Sequence, residues 1–350
     1  MNFRTLLIGA TILGATLATA DLAQARDQLK IAGSSTVLPY AQIVAEEFAK
    51  ANPNFKAPVV ESGGSSAGIK QFCQGVGEDQ IDIANASRAM KASEFEACAA
   101  AGVKEIVQVQ FGYDGIVFAT DASMGALELT TSDLYLALAA QVPVDGKMVD
   151  NPYKTWKEVN AKLPDGPILA FVPGEKHGTR EVFETKVLSG ACKDTGAEGI
   201  MEKAGLDKKA MEKACWAMRK DGASVDIDGD YTETLARIAS NKNAIGVFGL
   251  YFYENNTDKL AVATVNGVAP SVETVAEGKY PVSRPLFFYV KKAHIGVIPG
   301  LKEYAEFFVS DRMAGMDGML PENGLVPAPD AELAATQKAT ADLALFAAKK

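Results

Sequence analysis

Histidine and cysteine are scarce in this chain. Of 350 residues two are His and four are Cys, and no two cysteines form a C-x-x-C pair. A zinc site wants closely spaced Cys and His ligands, so metal binding of that kind is excluded. No run of Lys and Arg occurs either. Acidic residues outnumber basic ones by 44 to 35, giving a net charge of −9. Phosphate backbones need clustered cations, so no nucleic-acid partner is expected. After the first twenty residues no long apolar stretch follows, which excludes a multi-span membrane protein. Repeats of 20–50 residues and Pro/Ser-rich linkers are also missing. The remainder has the composition of folded soluble domains, 48% hydrophobic and 23% charged, in a chain long enough for two of them.

Residues 1–25 read as a secretory signal. Arg4 supplies the basic end, residues 6–17 the apolar run, and Ala23-Gln24-Ala25 a small-residue cleavage pattern. Cleavage is expected near Ala25, placing the mature chain in the periplasm. The four cysteines, Cys73, Cys98, Cys192 and Cys215, all lie beyond that point. In an oxidising compartment they read as two disulfides. Three pairings are open, and sequence proximity favours Cys73–Cys98 with Cys192–Cys215.

Apolar strand patterns alternate with helical ones. Strands are expected at 29–33, 57–61, 81–84 and 105–111, with helices at 37–50, 67–74 and 92–101 between them. The pattern restarts at YDGIVFAT (113–120), then gives helices near 131–140, 179–188 and 231–240 and strands at 167–172 and 244–248. An aromatic-rich strand, RPLFFYVK, spans 284–291 and is followed by helices at 298–310 and 331–348. Such alternation means α/β architecture with mostly parallel sheets. Two segments, near 111–118 and 284–290, are placed to cross between lobes and form a hinge.

Three loops share one design, Gly and hydroxyl residues leaving a strand and opening onto a helix: GSSTV (33–37), GGSSAG (63–68) and EKHGTR (175–180). Helix N-termini leave backbone N–H groups unpaired and carry partial positive charge. Glycine admits a ligand to that backbone, and hydroxyls add donors. The pattern fits an anion without a basic protein around it. DIANASR (82–88) brings Arg88 to a strand end, where ligands of α/β proteins bind.

GSSTVLP, ESGGSSAGIKQF, DIANASRAM, YDGIVFATD, HGTREVFE, NAIGVFGLYFY and NGLVPAP occur in this order. Together they resemble the PstS family, periplasmic phosphate-binding proteins of the phosphate ABC transporter, over about residues 28–330. The resemblance implies a type II periplasmic binding protein, two doubly wound lobes joined by a two-strand hinge. Residues 26–112 with 285–350 would form one lobe and 113–284 the other. It implies a monomer without cofactor or metal that closes on inorganic phosphate and hands it to membrane permease subunits. By position, Ser35, Thr36 and Val37 would hold the anion from the first loop, and Ser65, with Ser66 and Ser87 near it, from the second. His177, Gly178 and Thr179 would donate from the other lobe, and Arg88 and Arg180 would supply charge. In the best-known branch of the family an Asp that accepts the proton of hydrogen phosphate stands where this chain has Arg88; Asp114, at the expected hinge, could serve instead, although a structural role is the stronger reading for it and for Asp82. Where the family usually has Ser, this chain has His177.

Other readings are a receptor for sulfate or arsenate, and a secreted serine hydrolase. GSSAG (64–68) fits G-x-S-x-G, with His177 or His294 as base and Asp114 or Asp121 as orienting acid. Asp226, Asp228, Asp230 and Glu233 resemble a calcium loop only loosely, lacking the glycine and glutamate that an EF-hand requires.

Overall fold

A computed structural model describes residues 26–174, 178–228 and 231–347. The leader expected at 1–25, with its cleavage position, and His177 lie outside the described residues. Strand Lys30–Gly33 (β1) leads into helix Leu38–Ala51, strand Val59–Ser62 (β2) into helix Ser65–Phe72, and strand Ile83–Ala86 (β3) into helix Ala92–Ala100. β1 pairs in parallel with β2 and with β3. Parallel neighbours need a crossover connection, and the first two of these helices provide them. Alternate side chains serve opposite faces. Ile31 and Ile83 join Val44 and Phe48 in the main core, whereas Ala32 and Ala84 join Ile69 and Phe72 in a smaller one. Both faces are covered, as a doubly wound lobe requires.

Six further strands belong to the same sheet: Ile106–Asp121 (β4), Ala170–Pro173 (β5), Ser224–Ile227 (β6), Ile245–Gly249 (β7), Leu260–Val262 (β8) and Ser283–Lys291 (β9). The order across it is β2-β1-β3-β9-β4-β7-β5-β6, with β8 beside the end of β4. β9 lies antiparallel between β3 and the first part of β4. The later part of β4 pairs with β7 and β8, and β7, β5 and β6 continue in parallel. The segments read as 105–111 and 113–120 are thus one strand of 16 residues, and it runs through both lobes. Gly112 (φ 155°) marks the joint, next to a register shift between Leu286 and Phe287. A Cβ on Gly112 would meet the Val326 carbonyl at 2.9 Å, so the bend admits no side chain.

Features not expected from the sequence include strands β6 and β8, the helices Ala197–Lys203 and Lys208–Trp216, and a hairpin of Gln141–Val144 with Lys147–Asp150. Both disulfides form as proximity suggested. Cys73–Cys98 joins the end of helix Ser65–Phe72 to helix Ala92–Ala100, and Cys192–Cys215 joins Ser189–Asp194 to Lys208–Trp216. Loops of this length contribute about 3 kcal/mol each by constraining the unfolded chain. Among the described residues no helix is long and apolar enough to cross a membrane.

The first described residue is anchored. Arg26 donates to the carbonyls of Gln28, Glu78 and Gln80 and to Asp82 Oδ1 at 2.7 Å. Fully buried Asp82 also accepts from the Lys30 N–H and lies 2.6 Å from His294 Nδ1. Burial pushes the Asp82 carboxyl up, but His294, Arg26 and the Lys30 amide outweigh it and hold it below its usual range. A carboxyl lowered by folding contributes stability above its unfolded pKa and loses it as pH falls through the folded value. Arg26→Ala is therefore predicted to cost about 2 kcal/mol at neutral pH, with the loss shrinking below about pH 4. Urea unfolding at both pH values checks this, and equal stability at neutral pH would refute the anchoring role.

Candidate functional site

The loops after β2 and β3, the helix after β5, and the start of β9 surround a cleft of about 680 Å³. It opens at the carboxyl ends of parallel strands, where α/β sheets hold ligands. Close backbone approach builds its first-lobe wall. The Gly33 carbonyl accepts from the N–H groups of Gly63 and Gly64 at 2.9 and 2.8 Å, tying the GSSTV loop to the GGSSAG loop. A Cβ on Gly33 would fall 2.1 Å from the Asn85 carbonyl, and one on Gly68 would fall 2.4 Å from Gly33 Cα. The amides of residues 65–67 precede the first intrahelical bond, from Gly68 to Gly64, and these residues line the cleft.

The residues expected from sequence divide into three groups. Thr36 is buried and central: its Oγ1 accepts from Arg284 at 2.7 Å and donates to Glu181 Oε2 at 2.9 Å. Ser35 beside it is exposed, and the Val37 N–H points at Ser34 Oγ, 3.4 Å away. Ser65 and Ser87 form a second group. Their hydroxyls lie 3.2 Å apart, and the Ser87 N–H donates to Ser65 Oγ.

Arg88 and Arg180 make up the third group, and both are occupied. Arg88 grips Glu94 through two bonds of 2.7 and 2.9 Å and donates to Ser66 Oγ. Glu94 keeps Arg88 charged and raises its pKa further; burial pushes Glu94 up, but Arg88 and the Lys91 N–H hold it low. The pair is neutral overall. Arg180 is buried and donates to Glu184, to Asp226 and to the Pro173 carbonyl. It braces the loop after β5 from below, on the side of a separate cavity that Trp216 and Asp226 also line.

A buried cation at the cleft that the sequence reading did not single out is Arg284. It begins RPLFFYVK on β9 and stands directly opposite Asp114 on β4. Both residues are buried, at 7% and 4% exposure, on the two strands that pass between the lobes. Arg284 Nε lies 3.6 Å from Asp114 Oδ2, and NH1 lies 3.4 Å from Glu181 Oε1. The signal was a charged residue opening an aromatic core strand already read as a crossover. At their separation of 3.6 Å neither Arg284 Nε nor Asp114 Oδ2 makes a hydrogen bond. Both ends of the Asn85 amide, at the end of β3, are also unpaired. Native proteins rarely leave buried polar groups unmet; ordered water, an ion or a ligand meets most of the exceptions. Burial pushes the Asp114 carboxyl up; Arg284 opposes the shift and Glu181 adds to it. The phenols of Tyr40 and Tyr231, which feel Asp114's charge, are raised by burial as well.

Two alternative chemistries find little support among the described residues. Of the histidines offered as a hydrolase base, His294 is buried against Asp82 and the Val76 carbonyl, while His177 lies outside the described residues. The loose calcium loop is consumed elsewhere. Asp226 pairs with Arg180 and Glu233 with Arg237, Asp230 lies outside the described residues, and among those described no acidic cluster could hold a metal.

The family described as the PBP superfamily domain matches residues 18–312. The chain belongs to the PBP superfamily. Within it, Protein SphX of Synechococcus elongatus is 32% identical over 318 residues, 87% of this chain and 79% of that one. The phosphate-binding protein PstS of Staphylococcus haemolyticus is 27% identical, covering 87% of this chain and 88% of its own length. Among solved structures, one described as a possible phosphate binding protein from Planctomyces limnophilus superposes with a TM-score of 0.68. It is 27% identical and covers 91% of this chain and 98% of its own. PstS from Borrelia burgdorferi shares the fold, with a TM-score of 0.59 at 21% identity, covering 87% of this chain and 100% of its own. The resemblance to the PstS family read from the motifs is borne out, and with it the two-lobed periplasmic binding fold.

In this PBP-superfamily site the raised Asp114 carboxyl has a measurable consequence. A carboxyl raised by folding destabilises the protein progressively as pH rises from its unfolded to its folded pKa. The stability of Asp114→Asn relative to the parent is therefore predicted to move in the variant's favour between about pH 3.5 and neutrality. Thermal melts of ligand-free protein at the two pH values test this, and a shift in the opposite direction would show Asp114 to be stabilised as its anion.

Proposed function

We propose that this chain is an exported, monomeric, non-enzymatic receptor that captures inorganic phosphate and delivers it to the membrane permease subunits of an ABC importer. One observation carries the choice of ligand. Arg284 Nε and Asp114 Oδ2 set one buried donor and one buried acceptor side by side, 3.6 Å apart and without a hydrogen bond at that distance. A tetrahedral anion that still bears a proton satisfies both kinds: its bare oxygens accept, and its hydroxyl donates to Asp114. Phosphate and arsenate have that proton near neutral pH, whereas sulfate does not and would leave a buried carboxylate facing an oxygen.

In this reading Arg284 is the principal cation and Asp114 takes the role that the family gives to an Asp at the position of Arg88. Thr36 donates from the first lobe. Gly178 and Thr179 donate from the second, together with His177. Ser65, Ser66 and Ser87 shape the first-lobe wall. Arg88, already balanced by Glu94, holds that wall in place through Ser66. The lobes exchange chain between residues 112 and 113 and between 284 and 285, so Asp114 and Arg284 sit at the hinge and feel closure directly. Export follows the leader at 1–25, with cleavage near Ala25.

Calorimetric titration of mature, phosphate-stripped protein is expected to give tight one-to-one phosphate binding and little response to sulfate. Arg284→Ala is predicted to weaken phosphate binding roughly hundredfold or more, and Arg88→Ala by about tenfold or less. Asp114→Asn is predicted to narrow the preference for phosphate over sulfate. Equal binding of both anions by the parent protein would widen the substrate to oxyanions in general, and silence toward both would sink the function while leaving the fold.

A further inference from the structure

One contact at this site runs against the simplest receptor mechanism. Glu181 belongs to helix Gly178–Val182, after β5, yet its carboxylate reaches the opposite lobe. Oε2 accepts from Thr36 Oγ1 at 2.9 Å, and Oε1 lies 3.4 Å from Arg284 NH1. Its side chain is 39% exposed and lines the cleft, so it enters the site from the solvent side. Thr36 and Arg284 are the groups assigned above to the incoming anion. A carboxylate and a phosphate cannot both hold them, because two anions in one low-dielectric site repel strongly.

We propose that Glu181 is a resident surrogate for the ligand, a carboxylate that occupies the anion's donors while the receptor is empty and withdraws when phosphate enters. This rests on the phosphate reading of the same site. Without it, Arg284 would be buried with Asp114 as its sole counter-charge. With it, the empty receptor pairs its donors and keeps a hydrogen bond between lobes that would otherwise be free to part. The hinge then has a closed-like state available before ligand arrives, and phosphate must displace the surrogate to reach its donors. Displacement lowers apparent affinity by the fraction of molecules in which the site is vacant. Such a competitor acts on every anion alike, so it scales affinities without changing their ratio.

Glu181→Gln keeps the side chain's size and removes its charge. Calorimetry with phosphate and with sulfate, and small-angle scattering of ligand-free and phosphate-loaded protein, test the idea together. The expected result is tighter phosphate binding, roughly tenfold, with the phosphate-to-sulfate ratio unchanged. The ligand-free variant should also have a larger radius of gyration than the ligand-free parent, while the loaded forms match. Weaker phosphate binding with a smaller ratio would overturn the proposal and make Glu181 an acceptor of the bound anion's proton. Unchanged affinity together with an unchanged radius would also overturn it, showing that the contact has no weight in solution. If the parent binds neither anion, the phosphate reading fails by itself, and the ligand-free scattering comparison alone decides whether Glu181 closes the cleft.

Discussion

Burying a guanidinium is unfavourable by several kcal/mol unless its donors are met, and Arg284 is buried with Nε unmet. Its neighbours follow from that constraint. Asp114 faces it across the β4–β9 pair, Thr36 accepts one N–H, and Glu181 approaches another. Each comes from a different part of the chain, so the site exists only when both lobes and both crossover strands are in place. An anion that met the unpaired atoms would remove a penalty already present in the folded protein. On the reading proposed above, ligand binding and the closing of the lobes would draw on the same contacts.

The architecture makes this placement cheap to build. β4 runs for 16 residues because its first half needs β9 and its second half needs β7 and β8 as edge partners. A polar residue in the middle of such a strand lands between the lobes by geometry alone. The strand-end loops then converge from either side, with Gly33 and Gly68 allowing the first-lobe backbones to touch.

Much of this was legible beforehand, for identifiable reasons. The elements over residues 29–101 carry apolar periodicity with glycine punctuation, so their type was clear and their bounds shifted by only a residue or two, whereas the expected helix at 331–348 ends at Ala341. The Cys pairs were close in sequence and closed on each other. The motif around Arg88 says nothing about its partners: Glu94, six residues on, neutralises it. Arg284 went unnoticed because its role depends on the register between strands about 170 residues apart, which no local pattern encodes. The helices Ala197–Lys203 and Lys208–Trp216 were hidden by their shortness and by the frequent Lys and Glu on their outer faces, and β6 by its mixture of apolar and acidic residues.

The disulfides have a mechanical consequence. Each staples two helices within the same lobe, Cys73–Cys98 in one and Cys192–Cys215 in the other, and among the described residues no disulfide spans the cleft. The chain is therefore two stiffened plates on a compliant backbone hinge. On the reading proposed above, opening would fall mainly to that hinge, and the loops on each rim would keep their shape as the lobes part.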